Sequence, residues 1–150
     1  MHEGGISTPL IAHWPKGIAA KGELRKQPGH LVDIAATCVD LAGVKYSELG
    51  DSSLVPLEGK SLAPAFADKP IEREAIFWEH EGNRAVRSGD WKMVGKHAGP
   101  WELYDLAKDR VESKDMAQAM PDLVKKLAGQ YETWAKRAKV EPWPVNSPKK

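Results

Sequence analysis

The 150-residue sequence has a single cysteine, no long apolar run and almost no net charge. One cysteine, Cys38, excludes an internal disulfide and any metal site built from several cysteines. No apolar segment approaches the about 20 residues that a membrane-spanning helix needs. With 22 Lys and Arg against 21 Asp and Glu, the net charge is +1. This balance gives no overall field that would favour nucleic acid or an anionic membrane surface.

Several signature motifs of catalysis are also missing. The sequence has no P-loop, no G-x-G-x-x-G and no G-x-S-x-G nucleophile motif. His2-Glu3 begins like the zinc motif H-E-x-x-H, but Ile6 stands where the second histidine is needed, so the zinc interpretation fails. Cys38 lies among apolar residues of a predicted helix and is expected to be buried and unreactive. His13, inside an apolar run, is likewise interpreted as a core histidine.

The apolar run that contains His13 is the most prominent feature that is present. Gly4-Gly5 leads into residues 9–15, which predict a strand buried in a parallel sheet. The glycine pair could cradle an anion, but a simple turn is the favoured interpretation. A buried strand needs neighbours, and the few residues before it supply none. The chain is therefore expected to begin inside a larger domain.

A helix is predicted from about His30 to Ala42, with Gly43 at its C-terminal end. Residues 44–70 predict a turn-rich surface segment, with a short helical turn at 61–66 capped by Ser61. A boundary near Lys69-Pro70 divides the chain into residues 1–70 and 71–150. The predicted helix has one apolar stripe, which is expected to pack on a surface and consists of Leu31, Ile34, Ala35, Cys38, Leu41 and Ala42.

The second half predicts an antiparallel sheet followed by a long helix. Four strand candidates lie at 75–79, 84–87, 90–94 and 101–106, separated by tight turns. Pro121 and the acidic residue after it predict the start of a helix that runs to about residue 139. Its apolar stripe is expected to cover one face of the sheet. The fold class of this part alone is α+β.

The segment from Trp78 to Arg84 concentrates His80, two carboxylates, an asparagine and an arginine at a strand–turn junction. Binding residues tend to lie on loops held by a rigid sheet, but a polar hairpin tip explains the same residues equally well. No nucleophile is paired with a base, and no carboxylate cluster suits a metal. The residues by themselves indicate an α+β module of undetermined role.

Five segments taken in order nevertheless resemble one family, the type I sulfatases of the arylsulfatase kind in the alkaline phosphatase-like superfamily. The resemblance is to the C-terminal part of such an enzyme and covers nearly the whole chain. The segments are 2–11 (H-E-G-G-I-S-T-P-L-I, with Trp14-Pro15), 32–43 (from V-D-I-A-A-T to L-A-G), 57–62 (L-E-G-K-S-L), 84–94 (R-A-V-R-S-G-D-W-K-M-V) and 101–106 (W-E-L-Y-D-L).

The resemblance implies an α/β enzyme that hydrolyses sulfate esters through a formylglycine made in a C/S-x-P-x-R motif, with a calcium ion orienting the sulfate. Cys38 is followed by Val39-Asp40-Leu41, so it is not the formylglycine precursor. The family's nucleophile and calcium ligands are expected upstream of this chain, with no catalytic or metal residue within it. Residues 1–70 would be the last strand and helix of the large domain, and 71–150 the small C-terminal subdomain.

The resemblance places four residues of this chain at the rim of the substrate pocket: His2, Glu3, Gly4 and Gly5. His80 and Arg84 are weaker candidates. The implied substrate is a small-molecule or carbohydrate sulfate ester, without nucleic acid or a membrane span, and a periplasmic or extracellular location is expected. The isolated chain is expected to be inactive. Two alternatives stay open: a non-catalytic structural or interaction module, and a phosphate or phosphonate ester hydrolase of the same superfamily.

Overall fold

A computed structural model describes residues 1–48 and 55–145. The chain forms two compact units. The sheet unit comprises Met1–Pro9 and Glu74–Lys150, and the helical unit comprises Leu10–Arg73. Residues 50–53, which supply several of the predicted turn signals, lie outside the described residues.

The sheet unit is built on a four-stranded antiparallel sheet in the order β1-β2-β3-β4, which confirms the four predicted strands. Two-residue turns connect the first three strands. Glu81 and Gly82 both have positive φ between β1 and β2, and Gly89 has positive φ between β2 and β3; such backbone geometry matches the twist of a hairpin. The strands are β1 Ile76–His80, β2 Asn83–Ser88, β3 Trp91–Gly95 and β4 Trp101–Asp105.

The predicted C-terminal helix covers one face of this sheet. Helix α4 runs from Pro121 to Arg137, two residues shorter than predicted. Val86, Met93 and Leu103 are direct partners on adjacent strands. They form one buried cluster with Leu127 and Tyr131 of the helix. The sheet thus gains the covered face it needs for independent stability.

The opposite face of the sheet is also buried. Ala85, Val94, Tyr104 and Leu106 form a second cluster there, and Met1 packs against it. The N-terminal segment continues into a short helix, α1, Glu3–Ile6. Because both faces are covered, four of the five positions of β3 are buried.

The helical unit contains α2, Val32–Leu41, a 3-10 turn, Tyr46–Glu48, and α3, Ala63–Phe66. Asp33 of α2 is completely buried. Its carboxylate accepts hydrogen bonds from the backbone N–H of His30 at 2.7 Å and of Lys60 at 2.8 Å. It also forms an ion pair with Arg73 at 2.7 Å. One buried carboxylate therefore joins three separate parts of this unit.

Helix α2 confirms the predicted element, and Gly43 after it has positive φ. Its predicted apolar stripe is wrong as a packing face, because all six stripe residues are exposed and the buried ones are Asp33, Ala36 and Thr37. Cys38 is exposed rather than buried. The physical reason is that hydrogen bonds decide the packing: the Thr37 hydroxyl accepts from the N–H of Leu62 at 2.8 Å.

The predicted buried strand at 9–15 is not present. Leu10 and Ile11 are 62% and 90% exposed, and His13 is exposed, not a core histidine. A strand exists through hydrogen bonds to a neighbour, and the described residues of this segment have no strand beside them. Trp14 closes a turn instead, since its carbonyl accepts from Gly17 and Ile18 at 3.0 and 2.8 Å.

Candidate functional site

The sheet face that packs against the N-terminal segment holds a buried lysine between two glutamates. Lys92 of β3 is completely buried. Its Nζ donates a hydrogen bond to Oε1 of Glu3 at 2.8 Å and lies 2.9 Å from Oε1 of Glu112. The other Glu112 oxygen accepts the backbone N–H of Glu3 at 2.6 Å. Glu112 therefore contacts both the lysine and the first residue of α1.

This arrangement pairs the buried ammonium, whereas Oε1 of Glu112 accepts no hydrogen bond from any described residue. An isolated ammonium in a protein interior is costly unless it is paired and hydrogen-bonded. The side chains of Glu3 and Glu112 are only 9% and 2% exposed, so all three charges are shielded from water. The Lys92 cluster, defined as Glu3, Lys92 and Glu112, therefore ties the N-terminal segment to the sheet.

A second polar group lies on the same face. His2 Nε2 and the Tyr104 hydroxyl both lie 2.9 Å from Oε2 of Glu102. The rings of His2 and Tyr104 pack edge to face, with their centres 5.9 Å apart. Burial raises the pKa of Tyr104, and the hydrogen bond to Glu102 and its charge raise that pKa further. Tyr104 therefore stays a proton donor to Glu102 throughout the physiological pH range.

These contacts fix the ring of His2 while leaving part of it accessible. Its side chain is 38% exposed. One ring nitrogen is engaged by the Glu102 carboxylate, which sets the orientation of the imidazole. The arrangement can present an oriented imidazole to a ligand.

Gly4 and Gly5 lie within α1 and not in an open turn. Neither has positive φ, and a Cβ added to either would meet no atom within 4 Å in this structure. Glycine costs roughly 1 kcal/mol relative to alanine in a helix interior. Nothing in the described residues requires glycine at these two positions.

The two weaker candidates lie apart from this group. Arg84 is on the α4 side of the sheet, with its guanidinium carbon 4.4 Å from the centre of the Trp101 ring. It donates to the Gly99 carbonyl at 3.0 Å. His80 is exposed at the end of β1, and its carbonyl accepts from the Asn83 side chain at 3.0 Å. His2 and Glu3, which are neighbours in sequence, thus lie on one face of the sheet, and Arg84 lies on the other.

Four residues of the polar groups were not identified by the sequence: Lys92, Glu102, Tyr104 and Glu112. Strand alternation assigns Lys92 to the face opposite Met93, where a lysine is normally solvated. One signal in the sequence could have indicated that Lys92 is buried. The sheet face that carries Lys92 also carries the apolar residues Ala85 and Val94. A lysine on an apolar face needs an acidic partner, but the partner Glu3 is 89 positions away.

Neither a metal site nor a membrane-spanning helix is present in the part of the chain that the structure describes. There, no group of three or more His, Cys, Asp or Glu side chains is arranged to hold a metal ion. Among the same residues, no helix has both the length and the apolar character needed to cross a bilayer.

The residues that form this polar face lie in a stretch of sequence that matches a known protein family. The model of the N-sulphoglucosamine sulphohydrolase C-terminal family matches residues 1–137. The chain belongs to this sulfatase C-terminal family. The match includes the segment from His2 to Gly5 and every residue of the Lys92 cluster.

Relatives from several organisms carry sulfatase names. An uncharacterized sulfatase of Schizosaccharomyces pombe is 32% identical over 135 residues, covering 83% of this chain and 24% of its own length. Arylsulfatase K of Danio rerio is 31% identical, covering 85% and 25%. The N-acetylgalactosamine-6-sulfatase of Mus musculus is 32% identical, covering 71% and 20%. The chain therefore spans about a quarter of the length of the first two relatives.

Solved structures agree with the family. Ps i-CgsB is similar with a TM-score of 0.61 and 26% identity, over 82% of this chain and 27% of that chain. A 2-O GAG sulfatase is similar with a TM-score of 0.52 and 26% identity, over 72% and 25%. The four-stranded antiparallel sheet with its C-terminal helix is thus a fold found in sulfatases.

Proposed function

We propose that this chain is the C-terminal part of an enzyme that hydrolyses sulfate esters. The observation that carries the proposal is the family match over residues 1–137. The lengths of the relatives support it, because the chain corresponds to 24% of one and 25% of another. The rest of such an enzyme would contain most of the reacting groups.

The proposed substrate class is sulfated carbohydrate. Two similar proteins have names that specify sugars: an N-acetylgalactosamine-6-sulfatase and a 2-O GAG sulfatase. A carbohydrate sulfate carries a fixed negative charge and many hydroxyl groups. A partly exposed, oriented histidine such as His2 could contact either kind of group.

We propose that the covalent chemistry is carried out by residues outside this chain. The sequence contains no C/S-x-P-x-R motif; Ser7-Thr8-Pro9-Leu10-Ile11 has the serine and the proline, but Ile11 stands in place of the arginine. The calcium ion implied by the family would likewise be held elsewhere, because the described residues offer no suitable group of ligands. The isolated 150-residue chain would then be inactive.

The proposed contribution of this chain is to build part of the pocket rim. The Lys92 cluster fixes the start of α1 through Glu3, and Glu102 orients the partly exposed His2. Gly4 and Gly5 leave open space beside the backbone, which permits a ligand or another segment to approach closely. The helix stability that α1 loses through its two glycines would then be offset by their function in the complete enzyme.

The test is to express this chain together with its upstream coding sequence. The proposal expects an in-frame C/S-x-P-x-R motif and calcium-dependent release of sulfate from a sulfated sugar. Replacing the Cys or Ser of that motif by alanine is the control and should abolish the release. A longer product that lacks the motif, or that cleaves phosphate or phosphonate esters in preference to sulfate esters, would refute the proposal.

A further inference from the structure

His2 is held through one ring nitrogen, Nε2, which leaves the other, Nδ1, without a partner. The Nε2 atom lies 2.9 Å from Oε2 of Glu102. No described residue forms a hydrogen bond with Nδ1, and Nδ1 is not among the buried side-chain atoms that lack a partner. Because the His2 side chain is 38% exposed, Nδ1 is the ring nitrogen that a ligand can reach.

The contacts of Glu102 determine which nitrogen of His2 carries a proton. The Tyr104 hydroxyl donates to the same Oε2 atom at 2.9 Å. Burial raises the pKa of Tyr104, and the hydrogen bond and charge of Glu102 add to this, so the phenol keeps its proton. A carboxylate accepts hydrogen bonds and has none to donate. The Nε2 atom that faces it therefore carries a proton, and in the neutral ring Nδ1 is the acceptor.

A paired strand holds the two partners of this histidine in place. Glu102 and Tyr104 are two positions apart on β4, so both side chains lie on the same face of the sheet. Their direct partners on β3 are Val94 and Lys92. The Tyr104 ring also packs edge to face against the ring of His2. Regular sheet structure, which places side chains more precisely than a loop does, thus sets the direction of the imidazole.

The charges on this face indicate which kind of ligand group suits Nδ1. The negative charges of Glu102 and Asp115 act on Tyr104 in addition to its burial. The buried ammonium of Lys92 is already paired with two glutamates. An anion beside His2 would be repelled by the nearby carboxylates. A neutral hydroxyl would donate to Nδ1 without that repulsion.

We propose that Glu102 is a positioning residue that holds the proton of His2 on Nε2, so that Nδ1 accepts a hydrogen bond from a hydroxyl group of the ligand. The location of His2 at the pocket rim rests on the proposed function. The assignment of the proton rests on the contacts of Glu102 alone. It is therefore measurable on this chain.

The first test records the ring nitrogens of His2 by two-dimensional ¹H–¹⁵N NMR of the 150-residue chain. The spectrum is taken at about pH 9, well above the ordinary histidine pKa, so that the rings are neutral. We expect His2 to show only the form with the proton on Nε2. His97, which is exposed, should show a mixture of both neutral forms. Diethyl pyrocarbonate, which acylates accessible unprotonated ring nitrogens, should then remove the ring signals of His2.

Three variants separate positioning from general damage to the fold. Glu102→Leu removes the acceptor, and His2 should then show the same mixture as an exposed histidine. Tyr104→Phe removes a neighbouring partner but leaves the carboxylate, so His2 should keep its proton on Nε2. Glu132→Gln, at an exposed position of α4, is the control and should change nothing. The parent spectrum tests the proposal even if one variant fails to fold.

The second test uses the longer product that includes the upstream coding sequence. Its substrates are catechol sulfate, which has a hydroxyl beside the ester, and phenyl sulfate, which has none. Glu102→Leu should raise KM for catechol sulfate about two- to tenfold, the value of one hydrogen bond. It should leave KM for phenyl sulfate and both kcat values nearly unchanged, because His2 would not take part in bond breaking.

Several results would overturn the proposal. These are a neutral His2 ring with its proton on Nδ1, a mixture equal to that of His97, and ring signals that diethyl pyrocarbonate does not remove. Equal effects of Glu102→Leu and Tyr104→Phe on the ring, or an equal rise of KM for both substrates, would do so too. Failure of the proposed function is distinguishable, because a longer product that hydrolyses neither sulfate leaves the ring spectra of this chain unaffected.

Discussion

The buried Lys92 ammonium donates a hydrogen bond to Glu3 at 2.8 Å, across 89 positions of sequence. This contact joins two of the segments that carry the family resemblance, 2–11 and 84–94. A third segment, 101–106, supplies Glu102, which contacts His2. The N-terminal residues are thus an integral part of the sheet unit. Motifs that look independent along the sequence meet on one face of the sheet.

Replacing Lys92 with methionine should destabilise the sheet unit by about 3–5 kcal/mol, because Glu3 and Glu112 would be left as buried charges without their cation. Amide hydrogen exchange of β2 and β3 measures this unit separately from the helical unit. Lys96→Met, at an exposed position just after β3, is the control and should change stability by less than about 0.5 kcal/mol. Equal effects of the two variants would show that the ion pairs do not hold the segment.

Replacing Glu102 with glutamine should lower the pKa of Tyr104. Burial is the largest cause of the raised pKa and would remain in this variant, whereas the negative charge of Glu102 would be lost. Removal of a nearby negative charge makes the phenolate less unfavourable. The ultraviolet absorbance of tyrosinate, recorded during an alkaline titration, measures the change. An unchanged titration of Tyr104 would mean that Glu102 does not contact its hydroxyl in solution.

Gly4→Ala should leave the stability of this chain unchanged or raise it by up to about 1 kcal/mol, since a Cβ there meets no atom. Gly59→Ala is the contrasting variant. Its Cβ would lie 2.2 Å from the Val32 carbonyl oxygen, and relieving that overlap should cost about 1–3 kcal/mol. Thermal unfolding of both variants tests the pair. Marked destabilisation by Gly4→Ala would show that the glycine is needed locally.

The helical unit should lose stability as the pH falls through about 6.5, the ordinary histidine value. Burial lowers the pKa of His30, Arg73 lowers it further, and Asp33 partly opposes both. The unfolded chain then binds a proton more readily than the folded one, so acid favours unfolding until the lowered pKa is passed. NMR titration of the ring of His30 gives its pKa directly.

The matched comparison for this pH dependence is His30→Gln against His97→Gln. Only the first should flatten the stability profile of the helical unit between about pH 7 and pH 5, because His97 belongs to the sheet unit. A profile that both substitutions leave unchanged would assign the acid sensitivity to other groups. A ring of His30 that titrates above the ordinary value would contradict the expected direction.

The sheet and helix α4 could be predicted because their signals are local. Short strands separated by two-residue turns pair with their sequence neighbours, and the apolar stripe of α4 repeats every few residues. The Lys92 cluster could not be predicted in this way. Nothing near Lys92 in sequence indicates that its partners are Glu3 and Glu112.

The helical unit shows two other limits of sequence patterns. Apolar composition alone favoured a strand at 9–15, but a strand forms only where a neighbour accepts its hydrogen bonds. The stripe containing Cys38 suggested a packing face for α2, whereas the buried side carries Asp33 and Thr37. Their hydrogen bonds to Lys60 and Leu62 determine the packing, and hydropathy does not report them.

The most direct test of the proposal that the reacting residues lie outside this chain is an assay of sulfate release by the purified 150-residue protein. The assay supplies an aryl sulfate and calcium, with buffer and the Cys38→Ala variant as controls. Because the proposed nucleophile lies outside this chain, release should equal that of both controls. Sulfate release clearly above the buffer control would contradict this proposal. If that release were lost in Cys38→Ala, the reacting residue would lie within these 150 positions.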